Sequence, residues 1–379
     1  VRQQVSTGHE VPLNLALQGG GAHGAFTWGV LDRLLDEKSF RINAISGTSA
    51  GAMNGAALLS GLAEGGRTGA QRALESFWRD VSSRGRLGRY NTATAQAVLG
   101  GLGIDIAMMR PLLETGMQMF SPYEFNPVGL NPLRNVIRNS IDISAVARSP
   151  IAFFVTATHV TTGEARIFSN DEMSSEVLLA SACLPTLFHA IEIDGEFYWD
   201  GGYSGNPSLM PLVHTPGASD LLLVQTSPTQ RSTLPQNARE IAMREKEISF
   251  NTPLINELRL IAELQHHARS RTLPRRSGVM PRLSVLGASG RQGDPAAPAD
   301  PIADLRLHRI ISEEMNARSG HTKMNSAWQF LTDLREEGRQ AADNFLKDHG
   351  ADLGQRSTLD LSNWLQCAGH TGVRTARAS

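Results

Sequence analysis

Residues 13–62 carry an order of signals that few folds accept. Leu13-Asn14-Leu15-Ala16-Leu17-Gln18 is short, apolar and strand-like, and it stops at Gly19, Gly20 and Gly21. Phe26, Val30, Leu31, Leu34 and Leu35 then recur at spacings of three and four, the helical period. Ile42 to Ser46 reads as a second buried strand, and the small residues from Ala50 to Leu62 read as a closely packed helix. Strand, glycine loop, helix, strand, sharp turn, helix is a βαβα unit, which demands a parallel sheet covered by helices. Ile151–Thr158 and Asp220–Thr226 read as further central strands, Val177–Ala182 as the end of a helix before Pro185, and Ala190–Trp199 as a hairpin. The expected fold class is α/β, with a mainly parallel central sheet.

Composition narrows the function classes. The 379 residues suit two or three domains, or one large α/β domain, at ~150 residues per domain. Lys and Arg number 36 against 37 Asp and Glu, so no global basic field exists to attract nucleic acid or an anionic membrane. Two cysteines, Cys183 and Cys367, exclude a disulfide framework and a four-thiolate metal site, and fit a reducing compartment. No apolar run approaches the ~20 residues of a membrane-spanning helix, and VRQQVSTGHEVP has no apolar secretory core. The expectation is a cytoplasmic chain whose membrane contact is peripheral. It opens without Met, which leaves a missing native N-terminus open. No acidic loop of EF-hand form is present, and neither a metal nor a cofactor is expected.

Three motifs can carry chemistry. Gly47-Thr48-Ser49-Ala50-Gly51 is a G-x-S-x-G between a strand and a helix. Its flanking glycines, Gly47 and Gly51, let the backbone turn sharply while Ser49 projects at a helix N-terminus, the needs of a nucleophile elbow. The plain alternative is a turn with a serine cap. Gly19-Gly20-Gly21-Ala22-His23-Gly24 frees backbone N–H groups to converge on an anion. It also satisfies G-x-G-x-x-G, but the second strand runs into the elbow instead of ending on the acidic residue a dinucleotide ribose wants. An oxyanion hole beside the elbow accounts for both glycine clusters together. Asp200-Gly201-Gly202 follows the hairpin and reads either as a turn or as the site's carboxylate. A histidine base is the other option, with nine of the eleven histidines after Ser49; His159 and His189 lie near strand ends.

The chain divides into 1–12, an N-terminal extension; 13–227, the part that holds the three motifs; 228–350, a mainly helical part; and 351–379, a tail. Within 13–227, the stretch 84–131 is rich in glycine and in Met108, Met109, Met117, Met119, Phe120 and Phe125, which reads as a lid, an acyl-chain pocket or a packed insertion. Arg239–Arg271 has a long helical pattern, and Ala288–Asp304, with three prolines, reads as a disordered loop.

The three motifs, in this order, resemble the patatin-like phospholipases, a family that includes the neuropathy-target-esterase-like lipid hydrolases. A fourth stretch, Ala180-Ser181-Ala182-Cys183-Leu184-Pro185-Thr186-Leu187-Phe188, resembles the family block that precedes the aspartate. The resemblance spans about residues 13–227. It implies a three-layer α/β/α fold and a Ser-Asp dyad without a catalytic histidine: Ser49 as nucleophile, Asp200 as general base, and amides around Gly20, Gly21 and Ala22 holding the oxyanion. It implies a phospholipid, lysophospholipid or other fatty-acyl ester as substrate. His23 departs from the family's Arg or Lys in the glycine loop, so a fixed positive charge is lost there. Two other readings remain: an α/β-hydrolase with a Ser-His-Asp triad acting on esters or thioesters, and a catalytically silent lipid-binding regulator. The glycine surplus, 36 residues against ~7% usual, gathers where these motifs lie: 19–55 hold eight and 195–205 hold four.

Overall fold

The structure is a computed structural model that describes residues 10–100, 121–231, 234–272, 301–312, 314 and 320–361, with backbone alone at 85–100, 125, 239, 269–272, 320 and 321. Residues 101–120, which include the five-residue methionine and phenylalanine set from Met108 to Phe120, lie outside the described residues, as do 288–300 of the expected loop and 362–379 of the tail.

Among the described residues, eight strands form one sheet: β1 Val11–Leu17, β2 Phe40–Gly47, β3 Ala152–His159, β4 Ala165–Phe168, β5 Ile191–Ile193, β6 Glu196–Asp200, β7 Asp220–Val224 and β8 Arg306–Ile310, in the order β5-β6-β3-β2-β1-β7-β8 with β4 paired to β3. From β3 to β8 every neighbour in that path is parallel, while β4, β5 and β6 form an antiparallel edge. The helices used below are α1 Gly24–Leu35, α2 Ala50–Gly100, α3 Pro132–Ser140, α4 Ser175–Ser181, α5 Ala238–Thr272 and α6 Trp328–His349.

Central strands in such a sheet are buried on both faces, and β1 follows that rule: Leu13, Asn14, Leu15, Ala16 and Leu17 are all withdrawn from water. Leu13, Leu15, Leu17, Ile45, Leu222 and Val224 pack toward the layer of α1, α2 and α6. Ala16, Ala44, Leu221 and Leu223 pack toward Leu254, Leu258 and Ile261 of α5 on the other face. The three-layer α/β/α arrangement therefore follows from strand alternation. Buried Asn14 is tolerated because its amide donates to Leu212 O and accepts from Asn43.

The helix expected over 50–62 continues to Gly100, broken at Gly65 and Gly66, where the backbone leaves helical geometry and Gly66 takes φ +59°. Across the break the two segments touch backbone to backbone: a Cβ on Gly61 would lie 2.5 Å from Gly69 O. Helix α6 crosses α1 just as closely, and a Cβ on Gly29 would meet Arg335 O at 1.8 Å. Asp32, almost fully buried on α1, is held there by Arg335 and Arg339 of α6. The strand β8 carries no apolar run, yet it closes the parallel series because two of its polar side chains find a buried partner. Arg306 and His308 both bond Asp220 on β7.

Candidate active site

The site forms at the C-terminal ends of β1, β2, β3 and β7, where open parallel sheets place their ligands. The path from β2 into α2 is a turn of unusual geometry. Ser49 has φ +55°, a left-handed conformation costly for a residue with a Cβ, and it is one of two such non-glycine residues among those described. Gly51 permits the turn, since a Cβ there would lie 2.0 Å from Leu17 O. Gly47 is similarly crowded, by the backbone of Gly51 and Ala52. The turn is tied down by Thr48, whose hydroxyl donates to Gly205 O at 2.7 Å, and by Ser181 at the end of α4, whose hydroxyl accepts the Ser49 N–H at 2.9 Å.

Asp200 ends β6 and is only 2% exposed. Its Oδ2 accepts from Ser49 Oγ at 3.0 Å and its Oδ1 accepts the Gly202 N–H at 2.8 Å. Residues 49 and 200 thus meet across the junction of the parallel core and the antiparallel edge. Gly201 is required by close approach to β3, because a Cβ there would sit 2.0 Å from Thr156 O, and Gly202 lies against the Phe250 ring of α5. Burial pushes the Asp200 carboxyl up to about 7, against the opposing pull of the Gly202 N–H, the Ser49 hydroxyl and the positive charge of Lys323. Cys183, which the same stretch brings close, is an unreactive thiol: burial and the Asp200 charge push it up to about 12.

The glycine loop lies alongside. Gly19 N donates to Asn206 Oδ1 at 2.8 Å, and Gly19 O accepts from Thr226 Oγ1 at 2.9 Å. A Cβ on Gly19 would lie 2.9 Å from Ser49 Cβ, so the loop and the elbow are in contact. Gly21 has φ +59° and turns the chain into a single 3-10 turn, with His23 N donating back to Gly20 O. Gly20, Gly21 and Ala22 therefore lie in the loop that touches the Ser49 turn. A glycine loop at the head of a helix is a setting that suits an anion. His23 does not offer its ring to that space. It is 2% exposed and Nε2 lies 2.6 Å from Thr322 Oγ1.

The two histidines near strand ends are engaged elsewhere. His159 pairs with Glu196, and His189 stacks on Tyr123 with Nε2 facing Pro122 O. Among the described residues the side chain that Ser49 Oγ bonds is a carboxylate. Sequence reasoning missed the groups that hold the loops: Asn206, Gln18, Thr226 and Lys323 carry no local pattern. Ser181 stood inside the ASACLPTLF block without an assigned task. Among the described residues, no group of three or more His, Cys, Asp or Glu could hold a metal ion, and no helix is long and apolar enough to cross a membrane.

Comparison with known proteins bears on this arrangement. No curated protein matches the chain. Among solved structures, the crystal structure of VipD from Legionella pneumophila is similar at 14% identity and a TM-score of 0.32, over 96% of this chain and 80% of that one. The family model for patatin-like phospholipase matches residues 15–213, more than half of the chain and all of the glycine loop, the elbow and the aspartate turn. The chain belongs to the patatin-like phospholipase family.

Proposed function

We propose that this protein is a serine carboxylic ester hydrolase acting on phospholipids or other fatty-acyl esters through a Ser49–Asp200 dyad and a covalent acyl-enzyme. The observation that carries the reading is the hydrogen bond from Ser49 Oγ to Asp200 Oδ2 at 3.0 Å. The hydroxyl already points its proton at the base, in a turn whose strain keeps Oγ projecting.

Ser49 Oγ attacks the ester carbonyl while its proton passes to Asp200 Oδ2. The amides of Gly20, Gly21 and Ala22 hold the oxyanion, and the α1 and α2 N-termini favour the negative charge. Collapse expels the alcohol, which takes the proton from Asp200, and leaves an acyl group on Ser49. Water then attacks that ester, Asp200 accepts its proton, and the second collapse releases the fatty acid and returns the proton to Ser49. A carboxylate of ordinary pKa is a weak base for a serine. Burial answers this, since a carboxyl at about 7 binds a proton far more readily than one at 3.8.

The binding partner is the lipid itself, with peripheral contact at a membrane surface and no nucleic acid. We assign the catalytic machinery to 13–227, with 228–350 as the part that covers and braces it. Fluorophosphonate labelling of wild type, Ser49→Ala and Asp200→Asn, run beside a phospholipid and short-chain ester panel, tests the reading. Wild type labels and hydrolyses; Ser49→Ala does neither. Labelling that persists in Ser49→Ala sinks the nucleophile, and full turnover by Asp200→Asn sinks the dyad.

A further inference from the structure

The glycine loop is held from a distant part of the chain. The 3-10 turn Gly320–Met324 lies outside the family-matched span of 15–213 and sits directly on the loop. Three contacts define the approach. A Cβ on Gly21 would lie 2.5 Å from Lys323 O, so the two backbones touch at the residue whose left-handed conformation turns the loop. Thr322 Oγ1 meets His23 Nε2 at 2.6 Å, two residues further along the same loop. Lys323 Nζ donates to Ser227 Oγ at 2.9 Å, and Ser227 follows Thr226, whose hydroxyl holds Gly19 O. Gln18, immediately before the loop, accepts the N–H groups of both Thr226 and Ser227. The loop is therefore gripped at Gly19, Gly21 and His23 by groups that converge on one lysine.

The charge of that lysine also reaches the reacting groups. Facing it are Glu247 on α5, which is itself paired with Arg231 and Arg244, and Asp200 at the end of β6. Glu247 is engaged by two guanidinium groups, so the positive charge of Lys323 is not consumed by a single counter-ion. Burial lowers the lysine's pKa and the positive charge of Arg231 adds to that, while Glu247 and Asp200 work to keep it protonated.

We propose that Lys323 is a positioning residue of the acyl-transfer site: through its contacts with Gly21 and Ser227 the Gly320–Met324 turn fixes the glycine loop that carries the Gly20, Gly21 and Ala22 amides, and the lysine's positive charge acts on the Asp200 carboxylate. His23 of the glycine loop is turned into the packing. The positive charge comes from Lys323, more than a hundred residues beyond the family-matched span of 15–213. This assignment rests on the Ser49–Asp200 reading and extends it.

The test uses the full chain with Lys323→Ala, Lys323→Arg and Thr322→Val, read by hydrolysis of a p-nitrophenyl short-chain ester across pH and by the rate of fluorophosphonate labelling, with melting temperature followed in parallel. Lys323→Ala is expected to lower kcat and the labelling rate by about tenfold or more with KM little changed, as misplaced donors do. Its acid limb in kcat/KM should move to higher pH, because a positive charge near Asp200 is gone. Lys323→Arg should recover much of the rate, and Thr322→Val should slow labelling without moving the acid limb. The proposal is overturned if Lys323→Ala keeps wild-type kcat, or if its loss of rate tracks only lost folded protein while the acid limb stays in place. Labelling that survives in Ser49→Ala takes down this proposal together with the dyad. Ser49-dependent labelling with undisturbed Lys323→Ala kinetics takes down this proposal alone.

Discussion

Asp200 and Asp220 stand twenty residues apart in sequence, are 2% and 1% exposed, and sit at opposite ends of the same sheet. Asp200 closes β6 at the end where the glycine loop and the elbow meet, and burial pushes it up to about 7. Asp220 opens β7 at the other end. Burial would raise it too, but His308, Arg306 and the Gly354 N–H bond it and hold the carboxyl at about 2. One carboxylate is left short of partners and gains basicity; the other is saturated and gains permanence. The first costs stability and can move a proton, whereas the second braces β7 against β8.

The contrast breaks most visibly by amide substitution. Asp200→Asn should reduce ester turnover by ~10³-fold or more, as loss of a base in a nucleophile–base pair does. Asp220→Asn should leave kcat/KM per folded molecule unchanged while lowering unfolding free energy by about 3 kcal/mol, the cost of removing one partner from a largely buried ion pair. Chemical denaturation alongside steady-state kinetics separates the two. Turnover lost in well-folded Asp220→Asn would mean that the two ends of the sheet are not independent.

The pH dependence sharpens the same contrast, with opposite signs. The folded-state pKa of Asp200 lies above its ordinary 3.8, so its contribution to stability is full below about 4 and is lost as pH rises through about 7. Asp200→Asn should therefore melt higher than wild type at pH 8 and near wild type at pH 4. For Asp220 the folded value lies below 3.8, so its contribution is present above about 4 and is lost as pH falls through about 2. Wild-type kcat/KM should rise with pH along an acid limb near 7, reporting Asp200 in the free enzyme. A limb near 4 would place the reacting carboxyl in an ordinary, solvated setting.

Glycines give the smallest of these contrasts. Gly51→Ala drives a methyl group into Leu17 O at 2.0 Å and should cost about 3 kcal/mol or abolish soluble expression. Gly163→Ala, at φ +74° with open space around it, should cost about 1 kcal/mol, the left-handed penalty alone. Thermal melting of the two variants measures the gap.

What was legible in the sequence was local. The βαβα opening reads directly because apolar period and glycine placement are properties of a few adjacent residues. Ser49, Gly47 and Gly51 belong to one turn, and that turn's backbone demands can be read from five letters. The strand Arg306–Ile310 was not legible, since Arg306, His308 and Arg309 mask its two-residue alternation until Asp220 is known to lie opposite. The supports of the glycine loop were hidden for the same reason: Asn206 reaches Gly19 across 187 positions and Asn251 reaches Gln18 across 233. His23 reads as a lost charge in sequence, and the fold turns it into a packed ring bonded to Thr322.

The sequence by itself determined the layered α/β fold and the sharp turn at Ser49, because both depend on backbone conformations that only certain side chains permit. Tertiary structure decided what those residues can do. It brought Ser49 within 3.0 Å of Asp200, withdrew that carboxyl from water, and supplied Lys323 from the far end of the chain. Proton affinity and charge depend on dielectric and on neighbours in space, and neither is written in the order of the residues.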